Sequence, residues 1–240
     1  EDETQAFVRQ VTTDLEELVF LRQMAEHLEI NENADGLLDL DGSLFGMLAS
    51  AIKCKYLALI EADPVDEARY AGETEVGKIV HWYGDDELSK SCVLRLLSRY
   101  RTFADSQPVV RNLMTTMVEG VDFPNIESFI LVQICTGNRT YGWMVAINRW
   151  DEHRYLDYVP NDPASDAEFG TGEATLLNSA ASMLATHARN VELFREQEHL
   201  LTNTVRALVY AVEAKDRYTC GHSERVALYG QALAERVGLD

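Results

Sequence analysis

Residues 126–149 read IESFILVQICTGNRTYGWMVAINR. Two β-rich apolar runs, 126–135 and 141–148, flank the polar loop TGNRT, the separation of an antiparallel hairpin. Apolar residues fill alternating and intervening positions in both runs. A sheet buried on both faces requires that pattern, whereas a sheet with one wet face would show clean alternation.

Working outward, YLALIEA (56–62) and VGKIVHWY (76–83) read as further strands, separated by the turn signal Asp63-Pro64. Residues 4–30 carry Val8, Val11, Leu15, Leu18, Leu21, Ala25 and Leu28 on one helical face, and a second helical segment spans 35–52. Two short helical patterns between 85 and 119 flank an extended RTFAD (101–105). The long helices then cover one face of the sheet and the 85–119 segment covers the other. The fold class is α/β (α+β), an antiparallel sheet sandwiched by helices.

After the acidic loop WDEHRYLDYVPNDPASDAEFGTG (150–172), one helix is predicted over 172–216. Leu177, Ala180, Leu184, His187, Val191, Phe194, Glu198, Leu201, Val205, Leu208, Val212 and Lys215 follow alternating steps of three and four, and nine of these twelve are apolar. That repeat favours a coiled-coil seam and a homodimer through helices 5–30 and 172–216. The alternative divides the helix, its first half on the sheet and its second in a helical bundle. At ~1.5 Å per residue the helix spans on the order of 66 Å, more than a domain of this size needs.

The chain of 240 residues carries 21 basic and 40 acidic side chains, a net charge of −19. So negative a surface lacks the basic patch that nucleic acid and anionic lipid both require. No apolar run approaches the ~18 residues of a spanning helix, and EDETQ at the start is no signal peptide. A cytoplasmic protein without membrane insertion is expected. The four cysteines, Cys54, Cys92, Cys135 and Cys220, form no C-x-x-C pair and read as reduced thiols. A first residue other than Met and a last residue in mid-pattern both look like cuts in a longer protein.

The element order resembles a GAF domain, the small-molecule sensing module of signalling proteins, over roughly Val8 to Glu196. YGWMVAINR (141–149) followed by EFGTGEATLLNSAASMLATHARNVELF (168–194) carries the resemblance. Asn148, Arg149, Phe169 and Glu173 stand where the Asn-Lys, Phe, acid signature of cyclic-nucleotide-binding GAF domains stands. Arg replaces Lys, Glu replaces Asp, and Ala174 replaces the second acid, which argues against a cyclic nucleotide here. These four residues are expected to form a structural lock, Arg149 pairing with Glu173 in a helix's first turn. The resemblance implies a small-molecule effector pocket between the sheet and 85–119, with Trp82, Tyr83, Cys92, Phe103, Arg111 and Trp143 as candidate lining residues; the effector is not identified.

Further on, DRYTCGHSERV (216–226) is similar to the opening of an HD-GYP domain, a metal phosphohydrolase that hydrolyses cyclic di-GMP. Asp216, Thr219, His222, Arg225 and Val226 fill the pattern D-x-x-T-x-x-H-x-x-R-V, and Gly238 sits where a helix C-cap is expected; apart from the resemblance, His222 reads as a helix N-terminal histidine with Thr219 as N-cap. By resemblance His222 is the first protein ligand of an iron or manganese centre. The family's His-Asp dyad and Gly-Tyr-Pro motif are not within the 240 residues. One histidine cannot hold such a metal, so this chain is expected to be catalytically silent and metal-free. The organisation is an N-terminal helix (1–34), a sensor core (35–172), a connecting helix (173–201) and an incomplete all-α HD segment (202–240). The remaining histidines, His27, His81, His153 and His199, have no ligand spacing, and the acidic loop lacks the order of a calcium site.

Overall fold

The computed structural model describes residues 8, 11, 15, 18–26, 28, 42–62, 77–105, 107–114, 122–137, 139–150, 168–215 and 221–238. Helix α1 covers 18–26, with Val8, Val11 and Leu15 also helical. There follow α2 (Gly42–Ile52), β1 (Cys54–Glu61), β2 (Lys78–Tyr83), α3 (Lys90–Tyr100), a 3-10 turn (Arg101–Phe103) and β3 (Val109–Arg111). Strands β4 (Phe129–Thr136) and β5 (Arg139–Arg149) come next, then α4 (Thr171–Lys215) and α5 (His222–Val237). The helix expected over 35–52 is seen from Gly42; residues 29–41 lie outside the described residues.

The hairpin read from the sequence is β4–β5, in register from Phe129↔Ile147 to Thr136↔Arg139. Its second strand also pairs with β1, giving an antiparallel sheet of order β2-β1-β5-β4-β3. Both faces are buried, which is why the strands show no polar alternation. Leu57, Leu59, Ile130, Val132, Met144 and Ala146 join Phe20 and Met24 of α1, Leu44, Phe45 and Leu48 of α2, and Leu177, Ala180, Leu184 and Ala188 of α4. The opposite side chains, Tyr56, Ala58, Ile60, Phe129, Leu131, Trp143, Val145 and Ile147, pack under Val93, Leu96, Leu97 and Tyr100 of α3.

The reading of the 85–119 segment needs correction. RTFAD is not extended: its first three residues form the 3-10 turn. The strand of this region is Val109–Arg111 instead, directly after Pro108, where a residue without an amide hydrogen can begin an edge strand.

The chain divides into two compact units after Val191. In the first, α4 buries Leu177, Ala180, Leu184 and Val191, and its alanines let the helix lie close to the sheet, with the Thr136 hydroxyl donating to the Ala185 carbonyl. These seam positions are therefore not free for a partner helix. From Leu200 onward the pattern reverses: Leu201, Val205, Leu208 and Val212 are exposed, Val212 by 72%. Only the downstream part of the predicted seam is open. No helix among the described residues is long and apolar enough to cross a membrane.

Cys54, Cys92 and Cys135 are free thiols. Burial pushes the Cys54 thiol up to about 12, and its Sγ donates to the Ala49 carbonyl at 3.6 Å. Because the thiolate is the reactive form, Cys54 is expected to resist iodoacetamide at pH 8 in the folded protein and to react fully in denaturant. Peptide mapping reads this directly, and rapid native labelling at Cys54 would contradict the packing around β1.

Candidate functional site

Near the end of β5, Asn148 adopts φ 55, a left-handed conformation that asparagine tolerates. Its side-chain Oδ1 accepts from the Glu127 amide at 2.7 Å, and its Nδ2 donates to the Asn125 carbonyl at 2.8 Å. The neighbouring Arg149 amide donates to the Ser128 hydroxyl at 3.2 Å. Arg149 Nη2 meets Glu173 Oε1 at 2.7 Å, with the two side chains only 11% and 19% exposed. Nη1 also donates to the Glu168 carbonyl at 3.1 Å.

Glu173 is the third residue of α4, and its other oxygen accepts from the Gly170 amide at 2.9 Å, the backward reach of a capping-box acid. Phe169, between them, is 3% exposed in the helical layer. Asn112 holds the backbone of Phe169 from both sides: Nδ2 donates to its carbonyl and Oδ1 accepts from its amide, each at 3.1 Å. The structure thus brings Asn148, Arg149, Phe169 and Glu173 to one corner. It adds Asn112, just after the three-residue β3, and Ser128, just before β4, which nothing in the sequence marked.

The six candidate lining residues do not assemble into one pocket. Trp82, Cys92 and Trp143 share the α3 layer. Tyr83 points to the opposite face, as its one-residue offset from Trp82 dictates. Phe103 is 64% exposed, and Arg111 lies exposed on the edge strand, donating to the Val110 carbonyl. Within the α3 layer the indole N–H groups of Trp82 and Trp143 are buried without a hydrogen-bond partner among the described residues. The Trp82 ring lies 5.8 Å from that of Tyr56 and has Lys90 Nζ above it at 5.9 Å. Tyr56 is fixed in turn by its hydroxyl, which donates to Asp85 at 2.9 Å. Gly84, at φ 126, passes so close to the Tyr56 ring that no side chain fits there.

On the helical side, Tyr83 contributes instead to an open groove of about 650 Å³ with Leu15, Val19, Phe20, Gly46 and Met47. No sequence pattern marks this groove, because its walls come from three separate elements.

In the second unit, His222 is the exposed first residue of α5, and Arg225 is exposed one turn on. Asp216 and Thr219 lie outside the described residues. The N-cap of α5 is Gly221 rather than Thr219, while Gly238 is its C-cap as read. Hydrogen bonds from the Ser223 side chain, and from the Ser223 and Gly221 amides, hold the Glu213 carboxyl below the ordinary range. No group of three or more His, Cys, Asp or Glu side chains able to hold a metal occurs among the described residues. His222 alone does not make a metal centre.

The sheet order, its two covered faces and the corner that starts α4 define a GAF-like fold. The GAF domain of a phosphoenolpyruvate-protein phosphotransferase from Coxiella burnetii is 13% identical, with a TM-score of 0.50 over 76% of this chain and 98% of that one. The corresponding domain from Acinetobacter is 12% identical, with a TM-score of 0.46 over 75% and 97%. Free methionine-R-sulfoxide reductase from Neisseria meningitidis, in complex with its substrate, is 11% identical, with a TM-score of 0.47 over 72% and 88%. Likeness at this identity establishes the fold and leaves function open. No family model and no curated protein matches the sequence.

The pair is half-buried, so breaking it falls between the loss of an exposed pair, about 1 kcal/mol, and that of a fully buried one, about 3–5 kcal/mol. Arg149→Ala and Glu173→Ala are each expected to lose about 1–3 kcal/mol in urea denaturation. The double variant should lose clearly less than the sum of the two. Additive losses would mean that the pair contributes nothing of its own.

Proposed function

We infer that this chain is the sensory and regulatory region of a signalling protein. A GAF-like sensor reads a small-molecule effector, and α4 carries its state toward the segment that begins near residue 202. The observation behind this reading is α4 itself, which is buried on the sheet as far as Val191 and runs unbroken to Lys215 with its later apolar positions exposed. Leu201, Val205, Leu208 and Val212 continue the heptad steps, and burying each contributes about 1.5–3 kcal/mol. A second copy of the chain satisfies them, giving a homodimer through the downstream part of 172–216 together with the helix in 5–30. There Val8, Val11, Leu15 and Leu18 are exposed at heptad spacing.

The effector site of this reading is the α3 layer, because two buried indole donors without partners favour a ligand that offers hydrogen-bond acceptors. The net charge of −19 disfavours a polyanion there. For the output, the pattern from Asp216 to Val226 supports control of an HD-GYP phosphohydrolase acting on cyclic di-GMP through an iron or manganese centre. His222 supplies one ligand of such a centre. This chain by itself is expected to leave cyclic di-GMP intact.

The exposed stripe and the apolar groove also favour a second reading, a ligand-free dimerisation and spacing module with a different output. Native mass spectrometry of freshly purified protein separates the two. A bound small molecule, reduced by Trp143→Phe, supports the sensor; bare chain mass in both proteins supports the module. Either reading predicts a dimer at tens of micromolar in sedimentation velocity, and Leu201→Glu with Leu208→Glu should produce a folded monomer. A monomeric wild type would sink the helix-coupled mechanism.

A further inference from the structure

Glu213 is the one buried carboxylate among the described residues, 6% exposed on a stretch of α4 where Leu208 and Val212 stand in solvent. An ionised side chain is buried only where hydrogen bonds replace its water. Here both oxygens are engaged: Oε2 accepts from the Gly221 amide at 2.7 Å and Oε1 from the Ser223 amide at 2.8 Å. Those amides are orphan donors at the start of α5, which a cap residue's side chain normally satisfies. The cap position is Gly221, left-handed at φ 71 and without a side chain, so the acceptor comes from the preceding helix instead. The two bonded amides flank His222 on either side.

We propose that Glu213 is a positioning residue for His222, clasping the backbone on both sides of it to the last turns of α4. A carboxylate bonded twice in this way restrains rotation about the corner between the helices. A turn or axial shift of α4 then moves His222 with it instead of being absorbed at the corner. The transmission part rests on the functional reading above. The clasp does not, because Glu213, Gly221, His222 and Ser223 all belong to the second unit.

Amide hydrogen exchange by NMR on the full 240-residue chain tests the clasp. Hydrogen bonds to a charged group are worth roughly ten- to a hundredfold in protection. Glu213→Ala should speed exchange at Gly221 and Ser223 by about that factor and leave residues 228–236 of α5 within about threefold of wild type. Glu213→Gln, which keeps one acceptor oxygen, should fall between. The three-bond coupling that reports the His222 side-chain rotamer should move toward an averaged value in Glu213→Ala. Unprotected Gly221 and Ser223 amides in the wild type would overturn the clasp, as would unchanged exchange in Glu213→Ala. Loss of protection spread evenly along α5 would make Glu213 a helix nucleator and overturn its positioning role. A monomeric wild type with the local effect intact would remove the transmission reading and leave the clasp standing.

Discussion

The last residue of β5 and the first turn of α4, far apart in sequence, are tied together by a charged pair. Arg149 ends β5 and Glu173 starts α4, joined at 2.7 Å. Both charges are partly withdrawn from water. Each therefore carries a second bond, to the Glu168 carbonyl or the Gly170 amide, that replaces lost water. With the first turn of α4 fixed against the strand end, Leu177, Ala180 and Leu184 come down on Met144, Ala146 and their neighbours. The helical layer is thus aligned from a single corner.

That alignment divides α4 by chemistry rather than by any break in the helix. One heptad repeat runs through the whole length, yet its upstream positions belong to the domain core and its downstream positions to the surface. A heptad repeat specifies that a stripe will be buried; it does not say against what. A sheet and a second helix both accept a narrow apolar stripe, so the two readings left open by the sequence differ only in where the partner changes.

The legible parts of the fold were those whose signal is continuous. The hairpin, β1, β2 and α4 carry long apolar runs or repeats, and each falls within a few residues of its expected bounds. Strand β3 has three residues and no such run, so it lay hidden in what reads as a helical pattern after the stretch expected to be extended. The corner residues Asn148, Arg149, Phe169 and Glu173 were legible through a pattern, while Asn112 and Glu213 were not. Asn112 acts on the backbone of a residue 57 positions away, and Glu213 acts across a helix corner on bare amides. Bonds to backbone leave no residue type to recognise at the far end. The candidate pocket failed differently, because its list mixed neighbours in sequence, Trp82 and Tyr83, that a strand must point in opposite directions.

Strand β5 links the two layers that differ most in character. The helical layer is lined mainly by aliphatic and phenylalanine side chains and by the alanines of α4. The α3 layer holds two indole N–H groups without a hydrogen-bond partner among the described residues. An acceptor supplied there removes a penalty of about 1–3 kcal/mol for each donor it satisfies, and that sum bounds how strongly such contacts can favour one arrangement of the layer over another. Trp143 stands six residues before Arg149 on the same strand, so the donor and the ion pair that aims α4 share one rigid segment of the sheet. In the sensor reading proposed above, a shift of β5 at Trp143 is passed along the strand to the Arg149–Glu173 corner. Whatever free energy an effector supplies to the α3 layer is, by reciprocity, the most that the orientation of α4 can feel.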